Sequence, residues 1–532
     1  MSRSKNTLAS RIIREHFGDI VEKISSYLLQ SGRKSLREIC KDLTLSREEI
    51  KKGLSILIQH HLVEYIEGRN GITEYNALLD NILRRRRFQK YVYCAKVKFG
   101  DVAELVVEAF LLSGCDTLSR ASKRVADRLE NDDMETEQRT DVDFVVQKCK
   151  ELIRGQYLTR VKKPSPPASD EKDKEEEEDI KEEEKFTIPH GVGKKRKASS
   201  PQPHSSKKVK LDSQDGTSSD EQSKDVQYED DGIYWCLNTQ KFDQYFLDQL
   251  IITATSERLD QSAGKIVSTM LKMTESDRNI MTPATKSVSI YDLCKKMPSV
   301  PKLDENEVHQ YLSLLSDDKT GGFVTKTDEA AGGMYAVNMR KSVEIICQAA
   351  CSTIVQERFG SKACRVFRLL LEKRHLEQKQ IGELAMIPFK DVKELLYKLF
   401  EERMVKVQEI TKTSDYAPSR TFYLFAVDLP QVVRLLMNRC FQAIGNMMIR
   451  RDSEEEENKR LLEKNEKIEG ILSALSGTTE DTEQVMRELE ELITPTEKQQ
   501  LEKLKINLAR LEQGEIQIED TVFILQNHLR FH

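Results

Sequence analysis

Apolar residues recur at helical spacing in three successive stripes across residues 361–427. Ala363, Val366, Phe367, Leu370 and Leu371 make the first. Ile381, Leu384 and Ala385 make a second, shorter one, and Val392, Leu395, Leu396 and Leu399 follow at i, i+3, i+4 and i+7. Pro388 stands just ahead of that third stripe, where a missing N–H costs little. The period then changes to two. Val405 and Val407 alternate with polar residues, a polar loop carries Pro418, and residues 421–427 are rich in aromatic and β-branched side chains. Three helices followed by a β-hairpin predict a winged helix, in which the hairpin closes a core that the helices leave open.

The same third stripe recurs at Ile50, Leu54, Leu57 and Ile58, at Val142, Val145, Val146 and Cys149, and at Val308, Tyr311, Leu312 and Leu315. Each is followed by a strand-like run, at 63–66, 157–161 and 323–326. The spacing is roughly 90 residues within each pair of units, with a longer gap between the pairs. The fold class expected is mainly α with small β-hairpins, built as four tandem winged-helix domains and a C-terminal helical coiled coil. The expected divisions are winged helix one at 1–83, a basic arm and winged helix two at 84–163, and a disordered linker at 164–227. Winged helix three follows at 228–358, winged helix four at 359–440 and the coiled-coil hairpin at 441–532.

Residues 8–30 predict one amphipathic helix through Ile13, Phe17, Ile20, Ile24 and Leu28. Ser35 with Glu38, Ser46 with Glu49, and Asp304 with Glu307 have the spacing of helix N-terminal caps. Asn70-Gly71 predicts a tight turn in the first wing. Trp235 opens the third unit, where a placement just after the linker suggests packing. In the C-terminal segment Leu501, Leu504, Leu508 and Leu511 run three, four, three, and Ile518, Val522, Leu525 and Leu529 run four, three, four. Thr494, Pro495 and Glu497 read as N-cap, N1 and N3 of a fresh helix, so the segment is expected to fold back on itself. The leucine seam at Leu501, Leu504, Leu508 and Leu511 is open to a partner or to self-packing.

Charge changes the picture in three places. Net charge is −5, so any nucleic-acid surface must be local. Arg84, Arg85, Arg86 and Arg87 are consecutive and are followed by Phe88 and Tyr91. Cations for phosphates with aromatics for stacking suit a single strand; the alternative is a linker whose aromatics pack on unit two. Arg47, Lys51 and Lys52 lie on the third helix of unit one, with Arg33, Lys34, Arg37 and Lys41 just upstream, a set that suits phosphates. The third helix of unit three begins with acidic residues and that of unit four is neutral. Within the charged, low-complexity linker, Lys194, Lys195, Arg196 and Lys197 form one basic cluster, and Lys207, Lys208 and Lys210 form another. Their spacing resembles a nuclear-import signal.

Candidate chemistry is absent. No H-E-x-x-H, G-x-S-x-G or P-loop occurs, and the glycine pairs 321–322 and 332–333 match no phosphate-binding pattern. The ten cysteines include no C-x-x-C pair, and Cys347 with Cys351 is read as buried thiols before metal or disulfide. Neither cofactor nor metal is expected. No apolar run reaches the length of a bilayer span, so no membrane partner is expected.

Several stretches carry a family resemblance: EHFGDIVEKI, GGMYAVN, VQERFGSKACRVFRLLLEKRHLEQKQ, AMIPFKDVKELLYKL, APSRTFYLF and ENKRLLEK. They resemble the winged-helix subunit family specific to RNA polymerase III, relatives of the large subunit of TFIIE. The resemblance implies four extended winged helices and a coiled coil in a non-catalytic, nuclear subunit. It further implies a detachable trimer with two smaller polymerase III-specific subunits, docking on the polymerase core clamp, non-sequence-specific DNA contact, and help in promoter recognition and opening. Two alternatives remain: a free TFIIE-like initiation factor, which would usually carry a zinc ribbon, and a winged-helix scaffold without DNA contact.

Overall fold

The computed structural model describes residues 3–67, 72–131, 142–161, 184–188, 230, 232–297, 304–317, 322–329, 333–411, 421–475 and 494–531. The first-wing turn at Asn70-Gly71 lies outside them, as do both basic clusters of the linker. The chain forms two compact bodies, one of residues 1–31 with 245–532, the other of residues 32–244.

One order of elements repeats four times. A leading helix precedes a first helix, a short strand, a second helix, a third helix and two wing strands. Repeat one comprises α1 (Arg3–Phe17), α2 (Asp19–Ser31), β1 (Lys34–Ser35), α3 (Leu36–Asp42), α4 (Arg47–Gln59), β2 (Val63–Glu67) and β3 (Thr73–Ala77). In repeat two, α5 (Leu79–Arg84), a 3-10 turn and α6 (Phe88–Phe99) lead to α7 (Asp101–Ser113), α8 (Leu118–Asn131), α9 (Val142–Arg154), β4 (Leu158–Arg160) and β5 (Trp235–Leu237). Repeat three runs through α10 (Thr239–Arg258), α11 (Gln261–Met273), β6 (Val288–Ser289), α12 (Ile290–Lys296), α13 (Glu305–Ser316), β7 (Val324–Asp328) and β8 (Met334–Val337). Repeat four has α14 (Met339–Phe359), α15 (Ser361–Lys373), β9 (His375–Glu377), α16 (Gln378–Ala385), α17 (Phe389–Glu401), β10 (Lys406–Thr411) and β11 (Thr421–Ala426). Helices α18 (Leu429–Glu457), α19 (Lys459–Leu475) and α20 (Pro495–Phe531) end the chain. The fold class is thus mainly helical with small antiparallel sheets.

The sheets share one plan. The last strand of each wing lies in the middle, giving β1-β3-β2, β6-β8-β7 and β9-β11-β10. In repeat two the first strand is reduced to Asp116, which exchanges both backbone hydrogen bonds with Trp235, at 2.8 and 3.1 Å. Strand β5 then pairs with β4, Cys236 opposite Thr159. This corrects the placement of Trp235 at the start of unit three. The fully buried indole closes the wing of repeat two, whose strands stand on either side of the long linker.

Two local devices repeat with the plan. Leading and first helices are separated by Gly18, Gly100 and Gly360 at φ of 82°, 93° and 85°. Each follows a phenylalanine, and each adopts a conformation that costs an L-residue energy. Residues 8–30 are therefore two helices, not the single one expected. Repeat three uses Asp260 at this junction, whose carboxylate accepts the Ala263 N–H at 2.8 Å. The third helices of repeats one, two and four close on a left-handed residue, His61, Gln156 or Arg403. The next residue, Leu62, Tyr157 or Met404, is buried and donates its N–H to Leu57, Leu152 or Leu399 at 2.8–2.9 Å.

In the body of residues 1–31 and 245–532, the returning helix α20 runs antiparallel to α18. Met447 lies beside Gly514, and further along Lys464 pairs with Glu497 at 2.9 Å. The cap read from sequence forms here: Thr494 donates its N–H to Glu497 at 2.9 Å. That bond, with Lys464, holds the Glu497 carboxyl down at about 2. Phe523 of α20 joins the core of repeat three with Leu247, Val308 and Leu312. Arg451 of α18 meets Glu15 of α1 at 2.5 Å and Glu515 of α20 at 3.6 Å.

Candidate nucleic-acid interface

Helix α4 starts on a formed capping box. Ser46 accepts the Glu49 N–H at 3.2 Å and donates its own N–H to the Glu49 carboxylate at 2.9 Å. Its apolar residues Ile50, Leu54 and Leu57 are buried, which turns Arg47, Lys51 and Lys52 to solvent. Arg33, Arg37 and Lys41 are exposed as well. Lys51 is shared with Glu48 at 3.2 Å, and half-buried Lys34 with Glu38 at 3.5 Å. Exposed pairs of this kind are worth little and yield readily to a phosphate.

The arginine arm is arranged differently from the expected open strip. Arg87 is 5% exposed and places Nη1 3.6 Å from Asp243. Tyr91 is fully buried, donates its hydroxyl to the same carboxylate at 2.8 Å and stacks on Phe242. Burial and the Asp243 charge push the Tyr91 phenol well up. Arg84 donates to Asn81 at 3.1 Å and Thr239 at 3.2 Å, with Nε 3.4 Å from Asp243. Arg85, Arg86 and Phe88 are half-buried, with the Arg85 guanidinium 5.1 Å above the Phe88 ring. Arg87 and Tyr91 are therefore corrected from nucleic-acid contacts to core residues. A single buried acid gathers their polar ends, and a side chain sealed from solvent offers no face to a base. Sequence reasoning missed Asp243, 152 positions from Tyr91. Its one signal is an acid set among Phe242, Tyr245 and Phe246 on a helix.

The leucine seam is largely used within the chain. Leu501 and Leu504 are buried and Leu508 and Leu511 half-buried on α20, which packs against α18 and α19. Among the described residues no cluster of His, Cys, Asp or Glu suits a metal ion. All ten cysteines are free thiols. A hydrogen bond with Cys351, together with burial, pushes the Cys347 thiol far up.

Third helices elsewhere present other chemistry. Helix α13 opens with Glu305 and Glu307. Helix α17 exposes Phe389, Tyr397 and Phe400, at 55%, 64% and 49%, along one face at i, i+8 and i+11. Large aromatics left in water at helical spacing suit a protein surface better than a phosphate-lined groove.

Fold and surfaces together define a tandem winged-helix protein with differently charged recognition helices and no catalytic constellation among the described residues. Four family descriptions match in chain order. They are an RNA polymerase III subunit RPC82 helix-turn-helix domain at residues 7–68 and RNA polymerase III subunit RPC82 at 147–346. A POLR3C C-terminal winged-helix domain follows at 351–427, then the helical hairpin domain of DNA-directed RNA polymerase III subunit RPC3 at 460–524. The chain is 38% identical over 538 residues to DNA-directed RNA polymerase III subunit RPC3 of Bos taurus, and equally to that of Homo sapiens, covering 99% of each chain. The Dictyostelium discoideum protein of the same name is 24% identical over 627 residues, 86% of this chain and 93% of its own. The chain belongs to the RNA polymerase III subunit RPC3 family. The reading of a non-catalytic polymerase subunit agrees with that membership.

Proposed function

We propose that the chain works in the nucleus within a detachable three-subunit part of RNA polymerase III, with two smaller polymerase III-specific subunits as partners. In this reading it docks on the polymerase clamp and assists promoter recognition and opening without reading sequence. Repeat one faces DNA through Arg47, Lys51 and Lys52, with Arg33 and Lys34 at its margin and Arg85 and Arg86 adjoining in sequence. Repeat four faces protein. The observation that carries this is the division of labour among third helices, with cations exposed on α4, acids on α13 and aromatics on α17. The basic clusters at residues 194–197 and 207–210 serve import. Affinity purification from nuclear extract tests the reading. The Phe389→Ser/Tyr397→Ser/Phe400→Ser variant is expected to stay folded and lose most co-purifying polymerase chains. Full recovery of those chains would sink the docking assignment.

A further inference from the structure

Cys115 and Cys236 oppose each other in the wing of repeat two, both within residues 32–244. The bridge between Asp116 and Trp235 sets them there. Those two residues exchange both backbone hydrogen bonds, so the adjacent antiparallel pair, Cys115 with Cys236, is a non-hydrogen-bonded one. Residues opposed in this way stand about 4.5 Å apart at Cα, with both side chains leaving the same face. A disulfide spans roughly 4.4–6.8 Å between Cα atoms, so the register suits one. Both residues are half-buried free thiols. Cys347 and Cys351 on α14 are also close, but both are fully buried and sealed from a dissolved oxidant.

His61 lies against the first of the two sulfurs. Its Nε2 is 2.9 Å from the Cys115 Sγ, which also stands 3.2 Å from the Gln59 carbonyl. Asn81 holds the backbone of His61 by donating to its carbonyl at 2.9 Å. Burial pushes the His61 imidazole down, so at neutral pH the ring is uncharged and one nitrogen can take a proton. Burial pushes the Cys115 thiol up to about 11. It also pushes Cys236 up to about 12, where the neighbouring Cys115 adds to the effect. Neither sulfur is a thiolate at rest, so its reaction depends on a base held beside it. His61 and Cys236 line a cavity of about 200 Å³, ample room for a molecule little larger than water.

We propose that Cys115 and Cys236 form a reversible disulfide on exposure to a peroxide, a modification that clasps the wing of repeat two across the linker. Cys115 gives its proton to His61 and attacks one peroxide oxygen. The O–O bond breaks: one oxygen stays as the Cys115 sulfenic acid, and the other leaves as water with the proton from His61. Cys236 then attacks the Cys115 sulfur. The S–O bond breaks, the S–S bond forms, and the hydroxyl leaves as a second water with the Cys236 proton. Two thiols are oxidised and one peroxide is reduced.

Peptide mapping of the full chain tests the assignment. The chain is treated with hydrogen peroxide, alkylated, and digested with trypsin without reduction. The expected product joins residues 99–120 to residues 225–241, each of which carries a single cysteine. It is expected to exceed any other cysteine pair by ~10-fold or more, and dithiothreitol is expected to separate it. Oxidation is also expected to raise amide protection at Cys236 and Leu237 by ~10-fold or more, because a closed loop across the linker restrains β5. His61→Asn accepts the left-handed backbone of this position, and is expected to slow formation of the link by ~10-fold. Oxidation of other cysteines with these two peptides left unlinked overturns the proposal. So does a link that leaves amide protection unchanged, since the wing would then not be clasped. An unchanged rate in folded His61→Asn overturns the part given to the imidazole. The mapping uses the unaltered chain, so it decides the matter whether or not the variant folds.

Discussion

Helices α4 and α17 are the same element in repeats one and four. Each is 13 residues long and ends in a left-handed residue, His61 or Arg403. Their buried residues keep one spacing, Ile50, Leu54 and Leu57 against Val392, Leu396 and Leu399. Their outer faces share little. The position of Arg47 is taken by Phe389, and where Ser55 stands in α4, α17 exposes Tyr397. Three inward positions per helix suffice to keep the winged-helix core, so the outward ones are left to choose a partner. The fold alone says nothing about DNA, because the repeat with cations on its third helix and the repeat with aromatics there are built alike.

The largest test of that equivalence is in the core. Leu57→Ala and Leu399→Ala each remove a fully buried side chain at the matching position, and each is expected to cost about 2–5 kcal/mol by denaturant unfolding. Costs differing by more than the lower end of that range would show that the two helices are not interchangeable supports. Next comes charge. Arg47→Ala/Lys51→Ala/Lys52→Ala is expected to flatten the slope of log affinity against log salt by about two units on duplex DNA, since each phosphate contact carries about 0.9 and Lys51 is shared with Glu48. Lys390→Ala/Lys393→Ala on α17 is expected to leave that slope unchanged. Equal slopes in the two variants, read by fluorescence anisotropy, would end the distinction between the faces. The smallest effect lies at the helix starts. Ser46→Ala removes the α4 cap and is expected to cost about 1 kcal/mol. Pro388→Ala is expected to change little, because α17 begins without a side-chain cap. Amide exchange in the first turn of each helix separates the two.

Much of this was legible along the chain. The period-3.6 stripes, the change to period two and the spaced Ser and Glu caps are local signals, and they recover the winged-helix order and the fresh helix at Pro495. The phenylalanine–glycine junction at Gly18 is equally local, yet the apolar stripe of residues 8–30 runs straight through it and reads as one helix. The arginine arm failed for another reason. Composition describes which groups are present, and it is silent on the partner that arrives from far away.

The sequence by itself determined the repeating elements and the cationic outer face of α4, because side chains three or four positions apart share a helix face whatever lies beyond; the aromatic face of α17, neutral when read by charge, emerged from its burial pattern. Only the tertiary structure decided that Trp235 closes the wing of repeat two across the linker, and that Asp243 draws Tyr91 and Arg87 out of solvent. A buried cation and a buried phenol need a partner that cancels the cost of leaving water, and the nearest such group in space is 152 residues from Tyr91 in sequence. No periodicity within a helix encodes that distance; it exists only once α10 has packed beside α6.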